Sequence, residues 1–167
     1  KRTVSSMIIC SVDTGSQNQS YSILSCSDNK VKLLQVETFT PKSIYFEDKL
    51  LDTYNYLFSL FTKYSIEVLV YEDTQPANNT KNLNRIIGVL LLQASVFRIP
   101  KIIAKSATNV KKLVSLTGKA SKEQIAFDVS RLLDIDNNFK TNHDSDAIAV
   151  GLAYLLDNKL IETKWLY

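Results

Sequence analysis

Four residues of types that bind divalent cations occur where a fold could bring them together. Asp13 and Glu72 each end a short apolar segment, and His143 and Asp146 lie three residues apart near the start of a predicted helix. Such groups repel one another at one point unless a cation lies between them. Oxygen-rich ligands suit Mg²⁺ or Mn²⁺, and two such ions can activate a water and stabilise the leaving oxygen of a phosphodiester. His143 could supply the last ligand or activate the water.

Each of these residues also has a simpler explanation. Asp13 stands before a Thr-Gly pair and could form an Asx-turn. Glu72 could be a solvated loop charge, and Asp144 and Asp146 could be carboxylates favoured by the dipole at a helix start. His143 is the only histidine of the chain, which alone decides nothing. The order of two strand ends and one helix start nevertheless favours a shared site.

The spacing of apolar residues predicts the strands that position the first two acids. Three strands joined by short polar segments come first: residues 7–13, 20–26 and 31–37. They predict an antiparallel meander. A helix over 47–64 followed by a strand over 66–71 predicts a parallel crossover. In the simplest arrangement the first and fourth strands are parallel neighbours, so Asp13 and Glu72 lie side by side.

The remainder of the chain is predicted to add one strand and four helices. These elements are a helix over 80–97, a strand over 101–104, a helix capped by Ser106 or Thr108, a helix capped by Ser121 with Gln124 three residues later, and a last helix over about 145–156. The expected fold is α/β, with a five-stranded mixed sheet of three antiparallel strands and then parallel strands, flanked by helices. A single domain spans residues 1–167, with its core at about 7–156.

The predicted helix over 80–97 is apolar nearly all round after Arg85. Such a helix is buried on more than one side. One side can cover the sheet, and the other needs a neighbouring helix or a second subunit. We predict a homodimer interface here; the alternative is a central helix inside one domain.

Composition sets broad limits on the function. A chain of 167 residues with 45% hydrophobic and 22% charged residues is typical of one globular domain. The net charge of +3 permits a nucleic-acid partner without requiring one. Cys10 and Cys26 are expected to be buried small hydrophobes in a reducing compartment. No apolar run reaches the ~18 residues of a membrane helix, so membrane insertion is not expected. An organic cofactor is not expected either.

Five segments together resemble the RuvC-type Holliday junction resolvases, which have a ribonuclease-H-like fold. The matching segments, in the family's order, are 9–15, 69–73, 86–92, 109–112 running on to 118–124, and 143–153. The stretch Gly-Lys-Ala-Ser-Lys-Glu-Gln over 118–124 and the His-x-x-Asp-Ala helix are the most specific. The chain looks like a bacterial, phage or plasmid member, with poxvirus and organelle resolvases as more distant relatives.

The resemblance implies a homodimer that binds four-way DNA junctions in recombination or repair. It implies paired symmetric nicks that leave a 5′-phosphate and a 3′-hydroxyl. It further implies Mg²⁺ or Mn²⁺, two per active site, held by Asp13, Glu72 and Asp146. The family's fourth position is Asp or His, three residues before the last Asp, so His143 fills it. Asp144, acidic and adjacent, is the competing candidate for that position.

The resemblance also assigns DNA contacts to two lysines. Lys111 and Lys122 match family positions that contact phosphate near the cut, although a solvated charge is the usual role of a lysine. Lys122 stands at a helix start, where its charge opposes the dipole, and this local cost favours a phosphate partner. Lys112, Lys119 and Arg85 are further candidates for the basic surface.

One departure from the family and two alternative functions stay open. Many relatives carry an aromatic residue a few positions after the Glu, whereas this chain reads Asp73-Thr-Gln-Pro-Ala, so base stacking at this loop is not expected. The alternatives are another ribonuclease-H-like nuclease acting on an RNA–DNA hybrid or structured RNA, and a binding protein without cleavage activity. The expected location is the cytoplasm of a bacterium or of a phage or virus host, with an organelle as the alternative.

Overall fold

The computed structural model describes residues 6–73 and 80–162. Five strands and five helices occur in these ranges. In chain order they are β1 Met7–Asp13, β2 Gln19–Ser27, β3 Lys30–Phe39, α1 Phe46–Lys63, β4 Val68–Glu72, α2 Lys81–Val96, β5 Lys101–Lys105, α3 Ala107–Ser115, α4 Lys122–Leu133 and α5 Asn142–Asp157.

The five strands form one mixed sheet in the order β3-β2-β1-β4-β5. β1, β2 and β3 are antiparallel to their neighbours, whereas β4 pairs parallel to β1 and β5 parallel to β4. The predicted meander and parallel crossover are therefore confirmed. β1 is the central strand, so its carboxyl end has a neighbouring strand on each side.

Helices cover both faces of the sheet. On one face α3, α4 and α5 pack on side chains such as Ile9 and Val70, and on the other face α1 and α2 pack on side chains such as Cys10 and Leu69. Each strand supplies both cores in alternation because successive side chains point to opposite faces. The sheet is thus enclosed on both faces, and its free surface is at its ends and edge strands.

α5 lies closest to the sheet, at a glycine. A Cβ atom at Gly151 would lie 2.6 Å from Cδ1 of Leu24 and 2.6 Å from Oγ of Ser11. Only glycine therefore permits this approach of the helix to β1 and β2. The contact fixes the distance between the middle of α5 and the two strands.

Both cysteines are free and buried, as predicted. Burial raises the pKa of the Cys10 thiol well above its usual range, so it stays protonated and unreactive. Among the described residues, no helix has the length and apolar character needed to cross a membrane.

α2 is only partly enclosed within the single chain. Leu90 and Ala94 are buried in the core shared with the sheet and α1, and Ile86 is buried too, but Leu92 and Val96 are each 54% exposed. Phe58 on the neighbouring α1 is exposed as well. An apolar strip therefore remains on the outer side of the α1–α2 layer, and α2 is not a helix surrounded on all sides within one domain.

Candidate active site

The first two acids lie at the ends of adjacent parallel strands. Val12 pairs with Tyr71 in the β1–β4 register, so Asp13 and Glu72, one residue later in each strand, end the two strands together. The hydroxyl of Thr14 donates a hydrogen bond of 3.0 Å to the backbone oxygen of Glu72 and links the two ends. This placement is the one the sequence predicted. The contact of Thr14 had no signal in the sequence.

α5 supplies the other two residues and begins earlier than predicted. It starts at Asn142 rather than at about Ser145, because Thr141 is its N-cap and forms a capping box with Asp144. His143 and Asp146 therefore both lie within the first turns. Residues three apart share one face of a helix, and this face is directed at the ends of β1 and β4.

Asp13, His143 and Asp146 form a compact group of possible metal ligands. Nδ1 of His143 lies 2.9 Å from Oδ2 of Asp13. One ligand atom from each of the three residues lies within 4.8 Å of the others. Glu72 lies outside this group of three but lines the same cavity of about 260 Å³. The structure thus places all four predicted site residues in one cleft.

The carboxyl groups of the cleft bind protons more tightly than isolated ones. Burial, and then the negative charges of Asp13 and Asp146, raise the pKa of Glu72 to about 7. Burial also raises the pKa of Asp13, an effect opposed by its hydrogen bond with His143. The pKa of Asp146 rises through burial and through the charge of Asp13. Crowded acids of this kind are stabilised by a cation among them.

The donor set fits a divalent cation that prefers oxygen ligands. Three carboxylates and one imidazole meet in a partly buried cleft, and the pKa values of Glu72 and Asp146 are raised by burial and then by the charges of neighbouring acids. Carboxylates suit Mg²⁺ and Mn²⁺, and Mn²⁺ also accepts imidazole. Asp13, His143 and Asp146 are the nearest set for one ion, with Glu72 within the same cavity.

Lys111 and Lys122 line the cavity together with the acids. Nζ of Lys122 lies 3.8 Å from Oδ2 of Asp146, and the lysine side chain is 55% exposed. Both lysines lower the pKa values of Glu72 and Asp146, although less than burial and neighbouring acids raise them. Both lysines therefore offset part of the negative charge of the acids in the cavity.

The two helices that carry these lysines each begin at a serine N-cap. Ser106, one of the two predicted caps, accepts a hydrogen bond of 3.3 Å from the backbone N–H of Asn109 and starts α3. Ser121 accepts one of 3.1 Å from the backbone N–H of Gln124 and starts α4 at Lys122. Lys111 is thus on the second turn of α3, and Lys122 is the first residue of α4.

The other predicted basic residues do not line the cavity. Lys112 and Lys119 are exposed on α3 and on the loop after it. Arg85 lies on α2, across the sheet, where its guanidinium is 5.8 Å from the ring centre of Phe46. Of the described basic residues predicted to contact DNA, Lys111 and Lys122 are the ones that line the cleft.

Asp144 does not line the cleft. Its side chain is buried, and its carboxylate accepts hydrogen bonds from Ser20, Thr38 and the backbone N–H of Thr141. The structure therefore directs Asp144 toward β2 and β3 and His143 toward Asp13. Residues 74–79, which include most of the loop without an aromatic residue, lie outside the described residues.

Comparison with known proteins gives a consistent family signal. The family model described as Crossover junction endodeoxyribonuclease RuvC matches residues 9–154. The crossover junction endodeoxyribonuclease RuvC of Helicobacter pylori strain G27 is 32% identical over 157 residues, which cover 92% of this chain and 99% of that protein.

Solved structures show the same fold. The structure of Thermus thermophilus RuvC superposes with a TM-score of 0.82 at 18% identity, covering 92% of this chain and 96% of the other. The same protein in complex with Holliday junction substrate gives a TM-score of 0.80 at 17% identity, with the same coverage. At this level of identity the likeness shows the fold alone. The assignment of the site residues rests on the geometry described above.

Proposed function

The chain belongs to the RuvC family of crossover junction endodeoxyribonucleases, and on that premise we propose that the described cleft is its nuclease site. The chain is a Holliday junction resolvase, an endonuclease that acts on four-way DNA junctions. The observation that carries the proposal is the meeting of Asp13, Glu72, His143 and Asp146 in one cavity beside Lys111 and Lys122.

The four residues Asp13, Glu72, His143 and Asp146 would hold Mg²⁺ or Mn²⁺, two ions per site. When bound, these ions activate a water and stabilise the leaving oxygen of the phosphodiester. The raised pKa of Glu72 means that this carboxyl must lose its proton before it can bind a cation at neutral pH. Asp13 keeps the imidazole of His143 oriented through its 2.9 Å contact with Nδ1.

The two lysines would bind the scissile strand. Lys111 and Lys122 approach the cavity from α3 and α4, so their ammonium groups can contact phosphate oxygens beside the acids. Phosphate contacts position a nucleic acid without reading its sequence. This chemistry suits recognition by shape, and the products would carry a 5′-phosphate and a 3′-hydroxyl.

A homodimer would let two such clefts make paired symmetric nicks. The exposed apolar strip of Phe58, Leu92 and Val96 on the α1–α2 layer supports self-association through this face. This face is opposite to the layer that carries His143, Asp146 and the two lysines. The buried free cysteines favour a reducing location such as the cytoplasm.

Cleavage of a synthetic mobile four-way junction tests the function directly. With Mg²⁺ or Mn²⁺ the protein should cut this junction in preference to an RNA–DNA hybrid or a structured RNA of equal length. Asp13→Asn should reduce cutting by at least about a hundredfold, because loss of a ligand removes several kcal/mol of charge stabilisation. Junction binding in EDTA should change little.

Three outcomes would contradict the proposal. Preferred cutting of the hybrid or the RNA would assign the chain to another nuclease activity on this fold. Tight junction binding without cleavage in any divalent metal would make it a binding protein. Cutting by Asp13→Asn at the unsubstituted rate would remove the assignment of the cleft.

A further inference from the structure

Asp144 is a buried carboxylate that the proposed reaction does not use. It is 3% exposed. Its Oδ1 accepts hydrogen bonds from Oγ of Ser20 at 3.1 Å and from Oγ1 of Thr38 at 2.7 Å, and its Oδ2 accepts one from the backbone N–H of Thr141 at 3.2 Å. A carboxylate with three donors is well satisfied. Its contacts link the first turn of α5 to two strands of the sheet.

The linked strand positions are at the level of the active site. Ser20 on β2 is the direct partner of Asp13 on β1, and Thr38 on β3 is the direct partner of Ser20. Asp144 therefore attaches α5 to the same row of the sheet in which Asp13 lies. Ser20 is one strand away from Asp13 and Thr38 is two strands away, and adjacent strands are about 4.8 Å apart.

The attachment holds a different face of the helix from the one that carries the ligands. His143 and Asp146 share the face directed at the cleft, whereas Asp144 points toward β2 and β3. A rotation of α5 about its axis would move both ligands relative to Asp13. The Gly151 contact fixes how close the middle of the helix is to the sheet, and the Asp144 contacts fix the rotation of its first turn.

We propose that Asp144 is a positioning residue that sets the divalent-cation affinity of the site by holding His143 and Asp146 against Asp13. The proposal rests on the proposed function only in taking these three residues as ligands. It assigns no contact with the metal or the DNA to Asp144. Partners that orient ligands typically change metal affinity by about 10- to 100-fold when removed.

The variants separate positioning from charge and from general stability. Asp144→Ala removes every side-chain contact. Asp144→Asn removes the charge but keeps an oxygen that can accept from Ser20 and Thr38. Thr38→Val removes the hydroxyl that donates the 2.7 Å bond. Leu57→Ala, in the core of α1 on the other face of the sheet, is the control for loss of stability alone.

Direct Mn²⁺ binding to the DNA-free protein, by calorimetry or by the EPR signal of free Mn²⁺, is the main measurement. Asp144→Ala should weaken Mn²⁺ binding about tenfold or more, Thr38→Val should weaken it less, and Asp144→Asn should lie closer to the unsubstituted protein than Asp144→Ala does. Leu57→Ala should lower Tm and leave Mn²⁺ affinity within about twofold.

The single histidine of the chain gives an independent readout. The imidazole ¹⁵N resonances of His143 report its tautomer and its contact with Asp13, and metal-free Asp144→Ala should change them although Asp144 does not touch the ring.

Unchanged Mn²⁺ affinity and unchanged imidazole resonances in folded Asp144→Ala or Thr38→Val would overturn the proposal, as would equal effects of the Asn and Ala variants. Failure of the unsubstituted protein to cut junctions would contradict the proposed function without altering these binding results.

Discussion

The hydroxyl of Thr14 donates to the backbone oxygen of Glu72, 58 residues further along the chain, at a distance of 3.0 Å. This bond joins the segment that follows β1 to the last residue of β4. The carboxyl groups of Asp13 and Glu72 are consequently held near each other although they repel. The proximity is one reason why Glu72 binds a proton more tightly than a free glutamate.

Glu72 is expected to give the metal-free protein an unusual dependence of stability on pH. Its pKa is raised from 4.5 to about 7 in the folded state, first by burial and then by Asp13 and Asp146. The folded state therefore binds more protons than the unfolded state between these values, and stability falls as pH rises from about 4.5 to 7. Thermal melts in EDTA across this range should show the fall. Glu72→Gln should reduce this fall, leaving the part due to Asp13 and Asp146, whose pKa values are also raised. It should raise Tm above pH 7 and weaken Mn²⁺ binding. A melt of Glu72→Gln with the unsubstituted pH slope would contradict this assignment.

Lys111→Ala and Lys122→Ala should weaken junction binding and its dependence on salt. Each phosphate contact contributes close to one unit to the slope of log K against log salt, so each substitution should reduce the slope by about 1. Titrations in EDTA at several salt concentrations measure this. Lys30→Ala is the matched control, because Lys30 is exposed at the opposite end of the sheet. Slopes equal to that of the control would show that the two lysines are only solvated charges.

Gly151→Ala and Gly88→Ala form a matched pair on two helices. A methyl group at Gly151 would lie 2.6 Å from atoms of Leu24 and Ser11, so we expect a loss of about 1–3 kcal/mol in the free energy of unfolding. A methyl group at Gly88 meets nothing within 4 Å, so Gly88→Ala should stabilise α2 by about 0.5–1 kcal/mol. Urea unfolding measures both. Equal effects of the two substitutions would disprove the close approach of α5.

Charged substitutions on the α1–α2 layer should disrupt the proposed homodimer. Leu92→Glu and Val96→Glu each place a charge on a residue that is 54% exposed in the single chain. Light scattering after size exclusion should give a dimer for the unsubstituted protein and a monomer for these variants. Phe127→Glu, on α4 across the sheet, should leave the dimer intact. A monomeric unsubstituted protein would remove the interface.

The strand ends of the site could be predicted from the sequence because their signals are local. Apolar runs that stop at Asp13 and at Glu72, with a predicted helix between them, indicate two parallel strands ending at one edge. The sequence predicts the start of α5 at about Ser145, whereas the helix begins at Asn142. Thr141 and Asp144 carry the spacing of a capping box, but the polar residues before Ser145 resemble a loop.

The role of Asp144 could not be predicted in this way. Its hydrogen-bond partners Ser20 and Thr38 lie 124 and 106 residues away, on strands where a small polar residue carries no particular signal. The sequence therefore favours His143 for the fourth position but leaves Asp144 as a competing candidate. Only the packing of α5 on the sheet separates a side chain directed at the strands from one directed at Asp13.

The described residues that line the cleft come from the ends of β1 and β4 and from α3, α4 and α5, whereas the apolar strip lies on α1 and α2. In the proposed homodimer each subunit would therefore carry its own set of the proposed catalytic groups. If the proposed dimer is separated by a charge on the strip, the two cuts should lose their coordination, and the products should be singly nicked junctions, which DNA ligase can reseal into the starting crossover.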